Sequence, residues 1–130
     1  MSAPISKLNP FVGLLIAVAA WAVPGLGHLL LRRWSRGLVF FVTVGTLALT
    51  GVALRGRIFS PGTGDFFDLV GFLADCGAGG FFLLTKWIEN GGADVSRAAG
   101  DYGTRFFATA GVLNLLCVLD AYHLAVSGKE

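Results

Sequence analysis

Residues 24 to 37 read Pro-Gly-Leu-Gly-His-Leu-Leu-Leu-Arg-Arg-Trp-Ser-Arg-Gly, set between two apolar runs. Few folds accommodate this stretch. A proline in the body of an apolar helix removes a backbone donor and the following glycine loosens the chain, so a kink or a break into a short second piece is expected at Pro24-Gly25. The basic residues Arg32, Arg33 and Arg36 around Trp34 then suit a turn at one face of a bilayer. Lys and Arg beside a membrane segment bias its orientation, and an indole ring fits the headgroup boundary.

Composition agrees with that setting. Of 130 residues, 55% are hydrophobic and only 14% are charged, with a mean hydropathy of +0.72. A soluble domain of this size carries far more charge. The length predicts a single all-α domain over 1–130, an integral membrane bundle of four transmembrane helices at about 11–31, 38–54, 66–87 and 105–126. An Ala20-Trp21-Ala22 cleavage pattern follows the first apolar stretch, but apolar character continues through Leu31, so the segment reads as a retained first helix. Asn9-Pro10 suits its start. The cluster Ser60-Pro61-Gly62-Thr63-Gly64 is a turn signal, Asp65 a cap for the third helix, and the stretch from Glu89 a polar connection. Cys76 and Cys117 fall inside apolar runs and read as small buried hydrophobes, not as a disulfide.

Topology follows from counting basic residues. With the first and third turns on one side, that side holds six, Arg32, Arg33, Arg36, Lys86, Arg97 and Arg105, against Lys7, Arg55, Arg57 and Lys129 on the other. The bias places the Arg32 to Arg36 turn in the cytoplasm and both termini outside, in a bacterial inner membrane. Nucleic acid is not an expected partner, because the basic residues sit at helix ends and form no solvated face.

Ionisable groups within apolar spans are costly and single out Asp68, Asp75, Asp120 and His123. If the third and fourth helices are antiparallel, Asp75 and Asn114 share one depth, with Asp68, Asp120 and His123 at a second level nearer the termini. Asp120 and His123, three apart, fall on one helix face. His28 is expected toward the opposite end, as a polar group near backbone opened by Pro24. The freed carbonyls near Ala20 and Trp21 need a partner from a neighbouring helix or water. One histidine with two carboxylates is an incomplete metal site, and neither metal nor cofactor is expected. Phosphate loops, nucleophile elbows and zinc-protease motifs are absent, so a catalytic role is not expected.

Small residues four apart, Gly13 with Ala17, Thr46 with Thr50 and Ala74 with Ala78, predict close helix packing. They support an accessory subunit that packs against other membrane subunits or itself, with the lipid bilayer as its surroundings. The rival expectation is a small transporter or channel component using Asp75, Asp120 and His123.

Pro24-Gly25-Leu26-Gly27-His28, leading through Arg32-Arg33-Trp34 to Gly37, resembles the hairpin of the two-transmembrane-helix domain family. Leu29 to Leu31 stand where that family carries an aromatic and a further glycine. The segment from Ala110 through Asn114 to Tyr122 resembles a signature of an uncharacterised bacterial family of small multi-helix membrane proteins. Neither resemblance implies an activity.

Overall fold

The computed structural model describes residues 7–54, 66–88 and 98–128. The expected turn at Ser60 to Gly64, the Asp65 cap and the start of the polar connection at Glu89 lie outside them. The described residues are helical and contain no strand: α1 Pro10–Ala22, α2 Leu26–Leu30, α3 Trp34–Ala53, α4 Phe66–Gly77, α5 Gly80–Ile88 and α6 Ala98–Ser127.

Helix α1 starts as its sequence dictates. Pro10 sits in the first turn, where its missing N–H costs nothing, and the Asn9 side chain accepts a hydrogen bond from Phe11 N at 3.1 Å. It ends at Ala22. Val23 is extended, Gly25 takes a left-handed φ of 81°, and the chain restarts as the five-residue α2. The break expected at Pro24-Gly25 is therefore complete. Helix α2 turns back on α1, since a side chain on Gly27 would meet Ala20 Cβ at 2.7 Å and Ala121 Cβ at 2.9 Å.

The third apolar run also breaks. Gly79 is left-handed at φ 61°, and the axes of α4 and α5 differ by 110°. Residues 66–87 therefore do not form one straight helix. At about 1.5 Å per residue, α1 and α4 are each roughly 20 Å long or less, short of the roughly 30 Å of a hydrocarbon core. Two helices are long and apolar enough to cross a membrane, Trp34–Ala53 and the Tyr102–Ser127 part of α6.

Helix α6 is the axis on which the rest packs. Helix α3 runs antiparallel to it: Gly51 lies against Gly103 O and Phe107 at one end, and Arg36 approaches Asp120 at the other. Helix α1 is antiparallel as well, with Leu8 N donating to Ala125 O at 3.0 Å and Gly13 against Tyr122 and Val126. Helix α4 runs alongside α6 in the same direction, placing Ala74 beside Gly111 and Gly77 beside Leu115. Helix α5 folds back, so that Phe82 joins Val44, Ala48, Ala78, Phe107 and Ala110 in one core cluster. A second cluster joins Ile16, Ala20 and Leu31 to Ala121, Leu124 and Ala125.

This packing corrects the expected topology. The basic turn around Arg36, the start of α1 and the end of α6 all lie at one end of the molecule, because α1 does not carry the chain across before the turn. The six-against-four division assumed the opposite.

The molecule is apolar outside and polar within. Phe11, Leu15, Val18, Leu38, Val42, Leu49, Leu116 and Leu119 are exposed, whereas His28, Arg33, Asp75, Thr85 and Asn114 are buried. Two of the three small-residue faces serve this chain itself, Gly13 and Ala17 against α6 and Ala74 with Ala78 at the α4 break, while Thr46 faces outward.

Candidate functional site

The broken helices end head to head. Asn114 falls at the middle of the Tyr102–Ser127 span, about 18 to 20 Å from either end at the helical rise. Its Nδ2 donates to Trp21 O at 3.0 Å and to Gly77 O at 2.8 Å, holding the carboxyl ends of α1 and α4 together. The Trp21 indole N–H donates across the same joint to Cys76 O at 2.9 Å. Glycine makes the contact possible: a Cβ on Gly79 would strike Trp21 O, one on Gly80 would lie 2.5 Å from Ala22 O, and one on Gly111 would strike Ala74 O.

The carbonyls gathered here have no helical donors of their own. Trp21 O would bond Gly25 N in a continuous helix, but Gly25 is left-handed and its backbone faces the Cys117 thiol instead. Gly77 O would bond Phe81 N, which donates to Ala78 O. Asn114 supplies the missing donors, which is the partner expected for carbonyls freed near Trp21. Asp75 is fully buried in the last turn of α4, at the same depth. The shared depth of Asp75 and Asn114 therefore holds, although the hydrogen bonds of the Asn114 amide go to backbone carbonyls. Asn114 Oδ1 is buried and accepts no hydrogen bond.

The second polar level is not assembled as expected. Asp120 pairs with His28, whose Nε2 is 2.8 Å from Asp120 Oδ2, because the α2 piece folds back toward the end of α6. His28 is buried, with Cys117 Sγ 3.6 Å from Nδ1 and the Phe40 ring 5.0 Å away. Arg36 Nη1 reaches Asp120 Oδ2 at 4.0 Å. His123 is exposed on another face of α6, and its neighbour Ser127 bonds its backbone oxygen, not its ring. Asp68 sits in the first turn of α4, one turn before Phe72, which packs in the cluster of Phe107 and Ala110 at the other end of α6 from Asp120.

Sequence spacing paired Asp120 with His123 because the two are near in the chain. His28 was missed because its distance from Asp120 is set by the Pro24-Gly25 reversal. Cys117, three residues before Asp120 and three after Asn114, completes a polar stripe on the inward face of α6 that was legible as a helical repeat. Trp34 and Arg32 are exposed, whereas Arg33 is buried beside them. Among the described residues, no group of three or more His, Cys, Asp or Glu is arranged to hold a metal ion, and both cysteines are free thiols.

No curated protein and no solved structure matches this chain. A family profile does, over residues 15–130, which takes in both broken helices, Asn114 and the His28–Asp120 pair: the chain belongs to the Family of unknown function (DUF6677).

Proposed function

We propose that the protein is an integral membrane protein in which α3 and α6 cross the bilayer. The α1–α2 and α4–α5 pairs enter from opposite faces as half-depth hairpins, in place of two further complete spans. It acts as a small carrier or channel component that binds a proton or small cation where the hairpin tips meet.

The observation that carries this reading is the meeting of two interrupted helices at Asn114, midway along the longest apolar helix. Irregular backbone at membrane depth is tolerated only where protein buries it or a cavity is lined by it. Pairs of interrupted helices at mid-depth are the arrangement that secondary transporters use to hold substrates and coupling ions, with half-helix carboxyl ends turned toward cations. Both α1 and α4 point their carboxyl ends, the negative pole of each helix dipole, at this joint, and Asp75 adds a buried carboxyl group. Positive charge is what such a site favours.

Proton and sodium flux into proteoliposomes, followed with ion-sensitive dyes, tests it. Flux that Asp75→Asn abolishes without changing folding supports the reading. Equal flux in protein-containing and empty vesicles overturns it.

A second reading, a non-catalytic accessory subunit, is favoured by the outward small-residue face at Thr46 and by a joint sealed from solvent, where Asp75 and Asn114 are both fully buried. Recovery of one stoichiometric membrane partner in mild detergent supports it.

A further inference from the structure

Helix α2 carries one ionisable group, His28, and it is fully buried. The groups around it fix its proton. Asp120 on α6, when ionised, only accepts hydrogen bonds, so Nε2 carries the hydrogen that spans the 2.8 Å between them. In a neutral ring Nδ1 is then the acceptor, and the Cys117 S–H donates to it over 3.6 Å. The other charged group near this pair is Arg36 on α3, 4.0 Å from the same Asp120 oxygen, while α1 has no ionisable side chain. Asp120 is itself partly open, its side chain 42% exposed, so the chain Asp120, His28, Cys117 begins at solvent and ends inside the protein.

We propose that His28 is a proton-binding site, loaded from the basic end through Asp120, whose occupancy moves α2. A second ring proton goes to Nδ1 and turns that atom from acceptor to donor. It then faces the hydrogen of the Cys117 thiol, which has lost its acceptor. The bond to Asp120 survives and the contact to Cys117 does not.

The local backbone is built to yield there. Helix α2 has five residues, too few to hold its form alone, and left-handed residues flank it, Gly25 at φ 81° and Arg32 at φ 60°. A non-glycine residue in that region costs about 1 to 2 kcal/mol, so the Arg32 turn persists because packing holds it. What α2 covers is the inward face of α6: Gly27 lies on Ala121 and His28 on Cys117, one helical turn from Asn114. Movement of α2 opens a way from the basic end to the joint of the broken helices. This site goes beyond the transport reading and does not need it, because proton binding and α2 movement are observable whether or not any ion crosses.

The chain has two histidines, so the full-length His123→Gln protein in lipid nanodiscs isolates His28 for 15N NMR. At about pH 8 the ring is expected as the Nε2–H tautomer, taking a second proton between about pH 8 and pH 5, the range in which imidazoles ordinarily titrate. Asp120→Asn removes the adjacent negative charge and should lower the midpoint by about one pH unit. Amide hydrogen exchange across residues 26–31, corrected for the intrinsic pH dependence, should rise about tenfold as the ring charges, and should stay flat in His28→Gln. An Nδ1–H tautomer, a midpoint unmoved by Asp120→Asn, or exchange that ignores the titration would each overturn the proposal. The Asp120→Asn arm keeps the test decisive where His28→Gln does not fold.

Discussion

Replacing Asn114 with Leu tests the joint most directly, because shape is nearly kept while both donors are lost. The magnitude depends on what Trp21 O and Gly77 O do afterwards. An average interhelical hydrogen bond within a membrane contributes about 0.6 kcal/mol, and the largest measured about 1.7, because released groups usually find other partners. Two such bonds amount to roughly 1 to 3 kcal/mol. Leaving a buried carbonyl without a donor costs about 1 to 3 kcal/mol each, which doubles the upper bound. The structure favours the upper part of the first range. The natural donor for Trp21 O is turned away at left-handed Gly25, and that for Gly77 O is engaged with Ala78 O, so neither carbonyl regains a bond by a small shift. We expect a loss of about 3 kcal/mol in reversible unfolding by dodecyl sulfate in mixed micelles, with Val112→Ala, on the exposed side of α6, changing stability by less than about 0.5 kcal/mol. Trp21→Phe removes the reciprocal bond to Cys76 O and should couple to Asn114→Leu by at least about 0.5 kcal/mol in a double-mutant cycle, as contacts in one network do. A loss below about 1 kcal/mol for Asn114→Leu, or strict additivity, would show that the two helix ends are held by something other than this amide.

Gly79→Ala and Gly111→Ala should each destabilise by about 3 kcal/mol or more, since the new methyl group meets backbone carbonyl oxygen in both, whereas Gly45→Ala, with 3.6 Å to a Phe81 side-chain atom, should be tolerated within about 0.5 kcal/mol in the same unfolding assay. An impermeant thiol reagent applied to sealed vesicles of cysteine-free background should label Ser35→Cys and Ser127→Cys from the same side; labelling from opposite sides would contradict the end-to-end arrangement of α1, α3 and α6. His123→Ala should leave stability and the His28 titration unchanged, because its side chain is exposed away from Asp120, and a shift in either would restore the pairing that sequence spacing suggested.

Helicity, the start of α1 and its interruption were legible because each rests on local chemistry: an Asn-Pro cap, a Pro-Gly break, apolar runs too long for strands. The need for an outside donor near Trp21 was legible for the same reason. The second break was not. Cys76-Gly77-Ala78-Gly79-Gly80 reads equally as a small-residue packing face, and only the left-handed φ at Gly79 separates a tight turn from a close helix contact. From that one ambiguity the remaining errors follow. A continuous third helix would run antiparallel to the fourth and bring Asp68 level with Asp120; a helix that stops at Gly77 and turns leaves Asp68 at the far end. Likewise, a first helix that crossed would have carried His28 away from Asp120, but the reversal at Gly25 returns it.

The two breaks are linked by a single requirement. A helix that stops at mid-depth leaves its last carbonyls without partners, and no water is at hand in an apolar surrounding to satisfy them. One such end needs a donor from elsewhere; two ends placed together can share one. A primary amide is the side chain suited to this, since its NH2 group offers two donors from one atom and carries no charge to be buried. Asn114 uses both, one per helix end. A lysine would also donate, but would place a full charge between the carbonyls, and a serine could serve one end only. The sharing requires the ends to approach within reach of one amide, which is why glycine occupies positions 79, 80 and 111, where any Cβ would meet a backbone oxygen. The same amide has an acceptor left over, Oδ1, buried with Asp75 at its depth. Asn114→Asp separates holding from binding: it removes the donors yet keeps an oxygen at that position. If the joint serves only to hold two helix ends, this variant should lose as much stability as Asn114→Leu, about 3 kcal/mol, at every sodium concentration. If a cation sits between residue 114 and Asp75, added sodium should recover part of that loss for Asn114→Asp and none for Asn114→Leu, read as a sodium-dependent shift in the unfolding midpoint. Identical salt dependence in the two variants would rule out sodium at the joint.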